Sequence, residues 1–395
     1  MHAKSLTIRG ANVWTGRGFE VRDIAIVDGL VAEGPVEGAD VFDGDGSWVV
    51  PGLIDAHFHA YATSMDGFEN ERGMLSYAAI NGARRLESAL RRGFTTVRDV
   101  AGGDIGLARA IDAGHFPSPR YHFTGPALSQ TGGHGDPRSA DVDVCFSHGH
   151  MCEVVDGVDA LRVAVRERLR TGAHAIKVMT SGGVFTMTDP IRVPQYSPEE
   201  LRVVTEEARR RGSYVAAHAY SSEAVMHSID NGVRSIEHGN LIDAATAARM
   251  AERGAFLVPT LAAYYAMDKR GAEIGLDAVR LAKNDEVLSK GQEAVQLALA
   301  AGVRVGFGSD LMGDLEDEQL SGVRLQVEAS GAAATLKAMT EVNAELIGDA
   351  RLGHLGVGAF GDALVLSADP VAEPSALWEP AARRATVRAG VVFTA

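Results

Sequence analysis

The sequence predicts an α/β protein: a (β/α)8 TIM barrel with a small β-sandwich domain built from both chain ends. Three observations carry this reading. Short β-branched runs alternate with longer helical patterns through the middle of the chain, giving eight βα units in roughly 300 residues, the content of such a barrel. Both ends are rich in short strands. Polar residues of metal-binding type fall at the C-terminal ends of the central runs, where a barrel places its active site. The expected division is 1–51 with 353–395 for the small domain and 52–352 for the barrel.

Taken in order, Ser5–Arg9 and Asp23–Val27 alternate like half-buried strands, and Asp28-Gly29 is a hairpin signal. Barrel strands are expected at Leu53–His57, Thr95–Asp99, Arg120–Thr124, Ala175–Met179, Tyr214–His218, Arg234–Glu237, Ala255–Val258 and Val303–Gly308. Helices are expected at Val158–Thr171, Pro198–Gly212 and Ala244–Gly254. Ser197-Pro198-Glu199-Glu200 makes a good helix entry, with a capping serine, proline in the first turn and acid beside it. Ser129–Cys152 is the longest stretch without a clear element. Ala363–Leu366 and Ala385–Phe393 supply the C-terminal strands.

Composition narrows the function. The chain has 395 residues, 46% hydrophobic and 23% charged, which is ordinary for a globular protein. Lys plus Arg is 38 and Asp plus Glu is 52, a net charge of −14, which argues against a nucleic-acid binder. No apolar run reaches the roughly 18–20 residues that span a bilayer, and the N-terminus has no apolar leader core. Two cysteines, Cys145 and Cys152, exclude a disulfide scaffold and fit a reducing compartment. The expectation is a cytoplasmic protein with no nucleic-acid or membrane partner, acting on a small molecule.

The chemistry lies at the strand ends. His57 and His59 stand at i and i+2, so both imidazoles face one way. His218 closes YVAAH, His238 closes RSIEH and Asp310 closes VGFGSD. Four histidines and a carboxylate in such places suit Zn²⁺ or a similar ion. Lys177 sits in the apolar strand AIKVM, where an unpaired ammonium is costly. It is either paired with an acid or carboxylated by CO2 into a bridge between two metals, and spacing alone does not choose.

In that order, PGLIDAHFH, GFTTVRD, IKVMTSGG, AHA, IEHG, VPT and GSD resemble the amidohydrolase superfamily. LSQTGGHGDPR, IKVMTSGGVFT, HAYSSEA and VRSIEHGNLID resemble its imidazolonepropionase-like branch. That branch contains metal-dependent Xaa-Pro and Xaa-Arg/Lys dipeptidases and ochratoxin-hydrolysing amidases. The resemblance runs from the first strands to GDALVL near the end. It implies that His57, His59 and Asp310 hold one divalent ion, that His218 and His238 hold another, and that carboxylated Lys177 bridges the two. Zinc is the expected metal and a homo-oligomer the expected assembly.

The implied function is hydrolysis of the amide bond of a dipeptide or N-acyl amino acid with a free carboxylate. The alternative is an amidase for aryl-amide, carbamate or cyclic amide compounds. Asp310 is placed to carry the proton from water to the leaving amine. By resemblance, His134 and Tyr220 are candidates for donating to the oxyanion. Arg138 and Arg192 are candidate anchors for a substrate carboxylate, and Tyr264 and Tyr265 could line the leaving-group pocket. Cys145, His148, His150 and Cys152 are read as a rim loop rather than a second metal site. In this loop the sequence departs from the dipeptidase pattern, which carries more cysteines. The acidic run Asp314–Glu318 is read as a solvated face.

Overall fold

The computed structural model describes residues 5–34, 36–144, 150–184, 186 and 189–394. Among these residues the strands form three sheets. The first has eight strands and joins the two chain ends, because Trp48–Pro51 pairs antiparallel with Ala363–Leu366. Leu6–Trp14 lies in its middle, antiparallel to Phe19–Val27 and parallel to both Asp40–Asp43 and Trp48–Pro51. Ile8, Val13, Ile24, Val49, Val365 and Val387 form its own buried core. The strands of the two ends are joined by hydrogen bonds into this one sheet, with Asp40–Asp43 branching from Leu6–Trp14. The β-rich stretch Ala385–Phe393 falls within a hairpin of Arg383–Arg388 and Val391–Thr394. Its turn residues Ala389 and Gly390 both have positive φ, 52° and 79°, as a two-residue hairpin of the primed type requires.

The other two sheets are parallel and carry the expected βα alternation. One has three strands, Leu53–Phe58, Phe94–Asp99 and Arg120–Phe123. The other has seven, in the order Cys152–Val154, Ala127–Ser129, Ile176–Met179, Val215–Ser221, Ser235–Leu241, Phe256–Val258 and Arg304–Val305. The two sheets touch at both margins. Ala56 N–H donates to the Phe307 carbonyl at 2.9 Å and Asp310 N–H to the His57 carbonyl at 2.8 Å. At the opposite margin His174 N–H donates to the Phe123 carbonyl at 2.7 Å. Several strands, such as Leu53–Phe58 and Val215–Ser221, are buried along their whole length. That is why they read as continuous apolar runs rather than alternating ones.

The helices lie between the strands. Pro198–Arg210 starts as expected: Ser197 accepts from Glu200 N–H, and the Glu200 carboxylate accepts in return from Ser197 N–H. Ala244–Arg253 ends on Gly254 in the left-handed conformation. The stretch read without an element holds short strands at its two edges, Ala127–Ser129 and Cys152–Val154, which pair with one another. Cys145 and His148 lie outside the described residues. Among those described, no helix is long and apolar enough to cross a membrane.

Candidate metal centre and active site

The C-terminal ends of the parallel strands open into one cavity of about 400 Å³. His57, His59, Lys177, His218, His238 and Asp310 all line it, as do His134, Tyr220, Tyr264 and Arg138. Residues spread over 250 positions of sequence meet because the strands that carry them, His57 and His59 sharing one, lie side by side in the parallel sheets.

Asp310 stands at the centre. Its Oδ1 is 2.9 Å from His59 Nε2 and 3.2 Å from His57 Nε2, and its Oδ2 is 3.8 Å from His238 Nδ1. His57, His238 and Asp310 each offer a ligand atom within 4.8 Å of the others. The ring of His238 is 5.0 Å from that of His57 and 4.5 Å from that of His218. The backbone is strained here. His238, Thr260 and Asp310 have φ of +79°, +48° and +54°. Non-glycine residues adopt this region only where their surroundings enforce it, and such strain gathers at functional sites.

The electrostatics suit a cation. Burial pushes the imidazoles of His59, His218 and His238 below their ordinary pKa, which keeps them in the neutral form that binds metal. Burial opposes ionisation of Asp310, but His57 and His59 outweigh it and hold the carboxyl well below its usual range. Lys177 is 2% exposed and has no hydrogen bond or ion pair among the described residues. Burial pulls its ammonium down to about 8, against the pull of Glu237 and Asp310. Nδ1 of His59 is buried without a partner. Neutral imidazoles, an ionised carboxylate and an unpaired amine make a donor set that fits divalent ions.

Glu237 and Arg98, whose roles the sequence left unassigned, stand directly behind His57. Both are fully buried, with Arg98 Nη2 2.7 Å from Glu237 Oε1. The other carboxylate oxygen accepts from His57 Nδ1–H at 2.8 Å, so His57 Nε2 is the nitrogen turned to Asp310. A carboxylate behind a ligand histidine fixes its tautomer and orientation. Arg98 and then His57 overcome the burial of Glu237 and hold its carboxyl far below the usual range.

His134 stacks on His218 with centroids 4.1 Å apart. Its Nδ1 is 3.0 Å from Thr186 Oγ1, whose hydroxyl donates to Asp189. Lys283 donates to the carbonyls of Gly183, Thr186 and Asp189. A Cβ on Gly183 would stand 2.0 Å from the His134 ring, so only glycine admits it there. Tyr264 donates its hydroxyl to Tyr220 at 3.0 Å.

Other expectations are corrected. Arg192 is not among the cavity residues; it pairs with Glu286 at a site that leaves it half exposed. Arg138 reaches the cavity, but its guanidinium is held by both oxygens of Asp136 at 2.7 and 2.6 Å. Tyr265 packs under Lys269 and Arg324 instead of lining the cavity. Backbone N–H groups of His150, Met151 and Cys152 all donate to buried Glu71, which anchors these three residues. The run Asp314–Glu318 is not simply solvated: Glu316 is buried against Arg84 and Arg85, and Glu318 pairs with Lys269. The apolar wall, to which Met65, Met151, Met179, Met267 and Met312 contribute, was not foreseen.

An α/β scaffold that gathers neutral imidazoles, a carboxylate and an amine at the ends of its parallel strands is the framework of a metal-assisted hydrolase. The chain belongs to the amidohydrolase family, whose model matches residues 48–392, and it is an amidohydrolase-type hydrolase. That family typically uses metal ions. Ochratoxinase of Aspergillus niger is 33% identical over 369 residues, covering 87% of this chain and 75% of its own. A prolidase crystallised with N-methylphosphonate-L-proline is 38% identical, with a TM-score of 0.95 and 99% of both chains covered. A Xaa-Pro dipeptidase crystallised with methionine in its active site is 25% identical, with a TM-score of 0.88, covering 99% of this chain and 100% of its own.

Proposed function

We propose that this protein is a binuclear metal-dependent amidase that cleaves a dipeptide or N-acyl amino acid with a free carboxylate. The observation that carries the reading is the convergence of four histidines, Lys177 and Asp310 on one cavity. The likeness to a prolidase along 99% of the chain supports the substrate class. The parallel strands are read as one closed (β/α)8 barrel over 52–352, with 1–51 and 353–395 as a small β-domain. The hydrogen bonds at both sheet margins support the closure.

His57, His59 and Asp310 would hold one ion, His218 and His238 the other. Lys177 would serve both ions as a carbamate: its neutral amine adds to CO2, an N–C bond forms as one C=O π bond opens, a proton leaves to solvent, and the neutral side chain becomes an anion. When bound, such ions, expected to be zinc, make water nucleophilic at neutral pH and polarise the amide carbonyl. Asp310 accepts the proton of the attacking water and returns it to the departing amine. Because Tyr220 accepts from Tyr264, its own hydroxyl hydrogen is left for the substrate oxygen. His134 lines the same cavity, its Nδ1–H donating to Thr186, and it would give a hydrogen to the substrate oxygen only as the imidazolium. We read the working form as a cytoplasmic homo-oligomer that takes a small-molecule substrate and binds neither nucleic acid nor membrane; the net charge of −14 supports the exclusion of nucleic acid.

A second reading, an amidase for aryl-amide or ochratoxin-like compounds, is favoured by two observations. The cavity has a methionine-rich wall, and Arg138 is already neutralised by Asp136. One panel separates the two readings. Xaa-Pro dipeptides and N-acyl amino acids are compared with their C-terminal amides and with aryl-amides, using protein of measured metal content. The first reading expects about two ions per chain and amides at least tenfold slower than acids. Equal rates on acid and amide overturn the free-carboxylate specificity, and a reconstituted metal content near zero overturns both readings.

A further inference from the structure

Asp310 needs its left-handed backbone, φ +54°, to aim its carboxylate at His57, His59 and His238. Two buried charges outside the ligand set grip the chain on either side of it. Asp55, fully buried, accepts from Ser309 N–H at 3.1 Å and Ser309 Oγ at 2.6 Å, and from His57 N–H at 3.1 Å. Arg85, 2% exposed on the helix Leu75–Arg91, donates Nε to the His59 carbonyl at 3.2 Å. It also donates Nη2 to the Leu311 carbonyl at 2.7 Å and Nη1 to the Gly313 carbonyl at 2.9 Å. The anion takes the N–H groups of residues 57 and 309; the cation takes the carbonyls of residues 59 and 311. Asp310 lies between these grips on one side, and His57 and His59 lie on the other.

We infer that Arg85 is a positioning residue: with Asp55 it locks the backbone of Asp310 against that of His57 and His59, and so sets the spacing of the ligand atoms. This rests on the metal-site reading of those residues. An arginine is required because three carbonyls in different directions need the fork of a guanidinium, whereas one ammonium is a compact point donor. Strained backbone persists only where its surroundings over-determine it, and these are the contacts that do so.

The test uses Arg85→Met, which removes every donor, and Arg85→Lys, which keeps the charge and part of the bonding. Arg84→Gln is the control, since Arg84 pairs with the same Glu316 but its exposed side chain makes no bond to these carbonyls. Three quantities are measured on full-length metal-loaded protein: the rate of metal release to a chelator, kcat, and KM. The Met variant is expected to release metal at least about tenfold faster and to lose kcat by about 10²-fold, with KM within about threefold. The Lys variant should fall between it and wild type, and it carries the test if the Met variant does not fold. The control should match wild type. Wild-type release and kcat in both Arg85 variants, or equal defects in Arg84→Gln, overturn the inference. Wild-type protein that takes up no ion overturns the metal-site reading itself, and the inference with it.

Discussion

Glu237→Gln is the most informative single substitution, because it changes one charge and almost no volume in a fully buried network. The Glu237 carboxylate neutralises Arg98 at 2.7 Å, accepts from Ser235 Oγ at 2.5 Å and receives His57 Nδ1–H at 2.8 Å. With glutamine, Arg98 keeps its charge in a site that is 0% exposed. Removing one partner of a buried pair typically costs about 3–5 kcal/mol. For 395 residues the unfolding entropy is about 0.8 kcal/mol per kelvin, so the loss corresponds to a Tm about 4–6 °C lower. The second effect is on the metal. An amide cannot accept at both ends, so either Arg98 or His57 faces an N–H. If it is His57, the proton moves to Nε2, the nitrogen turned toward Asp310. Loss of such a partner typically lowers metal affinity about 10–100-fold.

The assay keeps the two effects apart. Thermal melts of chelator-treated protein read the ion pair; metal titration and kcat of loaded protein read the ligand. We expect a lower Tm in both forms, weaker metal binding, and kcat restored in part by excess metal. A Gln variant that melts within 2 °C of wild type, in the absence of metal, and binds metal with wild-type affinity would refute the role given to this charge.

Three further outcomes are expected. Gly183→Ala puts a Cβ where the His134 ring now lies, 2.0 Å away, so His134 must leave its stack on His218; kcat should fall about 10–10²-fold with metal content unchanged, and a wild-type kcat would remove His134 from the mechanism. Asp310→Asn keeps a ligating oxygen but no base, so a metallated variant should lose about 10²–10⁴-fold in kcat; a loss under threefold would put the base elsewhere. His122 and His174, rings 4.8 Å apart and partly buried, are pushed down mainly by burial to about 4 and about 3. The unfolded chain, near 6.5, therefore binds more protons, and stability is full above that pH and falls as pH drops toward 4 and then 3. Allowing for solvent screening, each should cost about 1–2 kcal/mol by pH 5. The gap between urea midpoints of chelated protein at pH 7.5 and 5.0 should narrow in the His122→Gln/His174→Gln variant, the buried histidines of the cavity keeping the remainder, and an unchanged gap would count against it.

Much of the scaffold was legible because fully buried parallel strands leave a plain trace: a β-branched run ending on a polar residue. Thus the ends at His57, His218, His238 and Asp310 could be read, and all of them line the cavity. The Ser197-Pro198 helix start was legible because capping is local. The misses have separate physical causes. Arg138 looked available because nothing local announces that Asp136, two residues back, takes both ends of its guanidinium. The hairpin at Ala389 was hidden because alanine seldom adopts positive φ. Arg85, in a helix that also carries Arg84 and Arg91, reads like a surface charge until three carbonyls from elsewhere are seen to converge on it.

The charges that hold the site are the ones sequence pattern reads least well, for a reason tied to what they do. A group that fixes one strand end relative to another must bond across the fold, so its partner is remote in the chain. Arg98 and Glu237 are 139 residues apart, Arg85 and Leu311 are 226, and Asp55 and Gln319 are 264. Ligand residues, by contrast, need only stand at the end of their own strand, and that position is local. A buried unpaired charge is expensive, so each of these groups persists only with its partner in place. Site geometry and fold stability are therefore coupled: whatever loosens Asp55, Arg85, Arg98 or Glu237 relaxes the strained Asp310 and His238 as well as the core beneath them. The comparison of chelated with loaded protein exposes that coupling, because in an uncoupled site the variants would lose metal without losing stability.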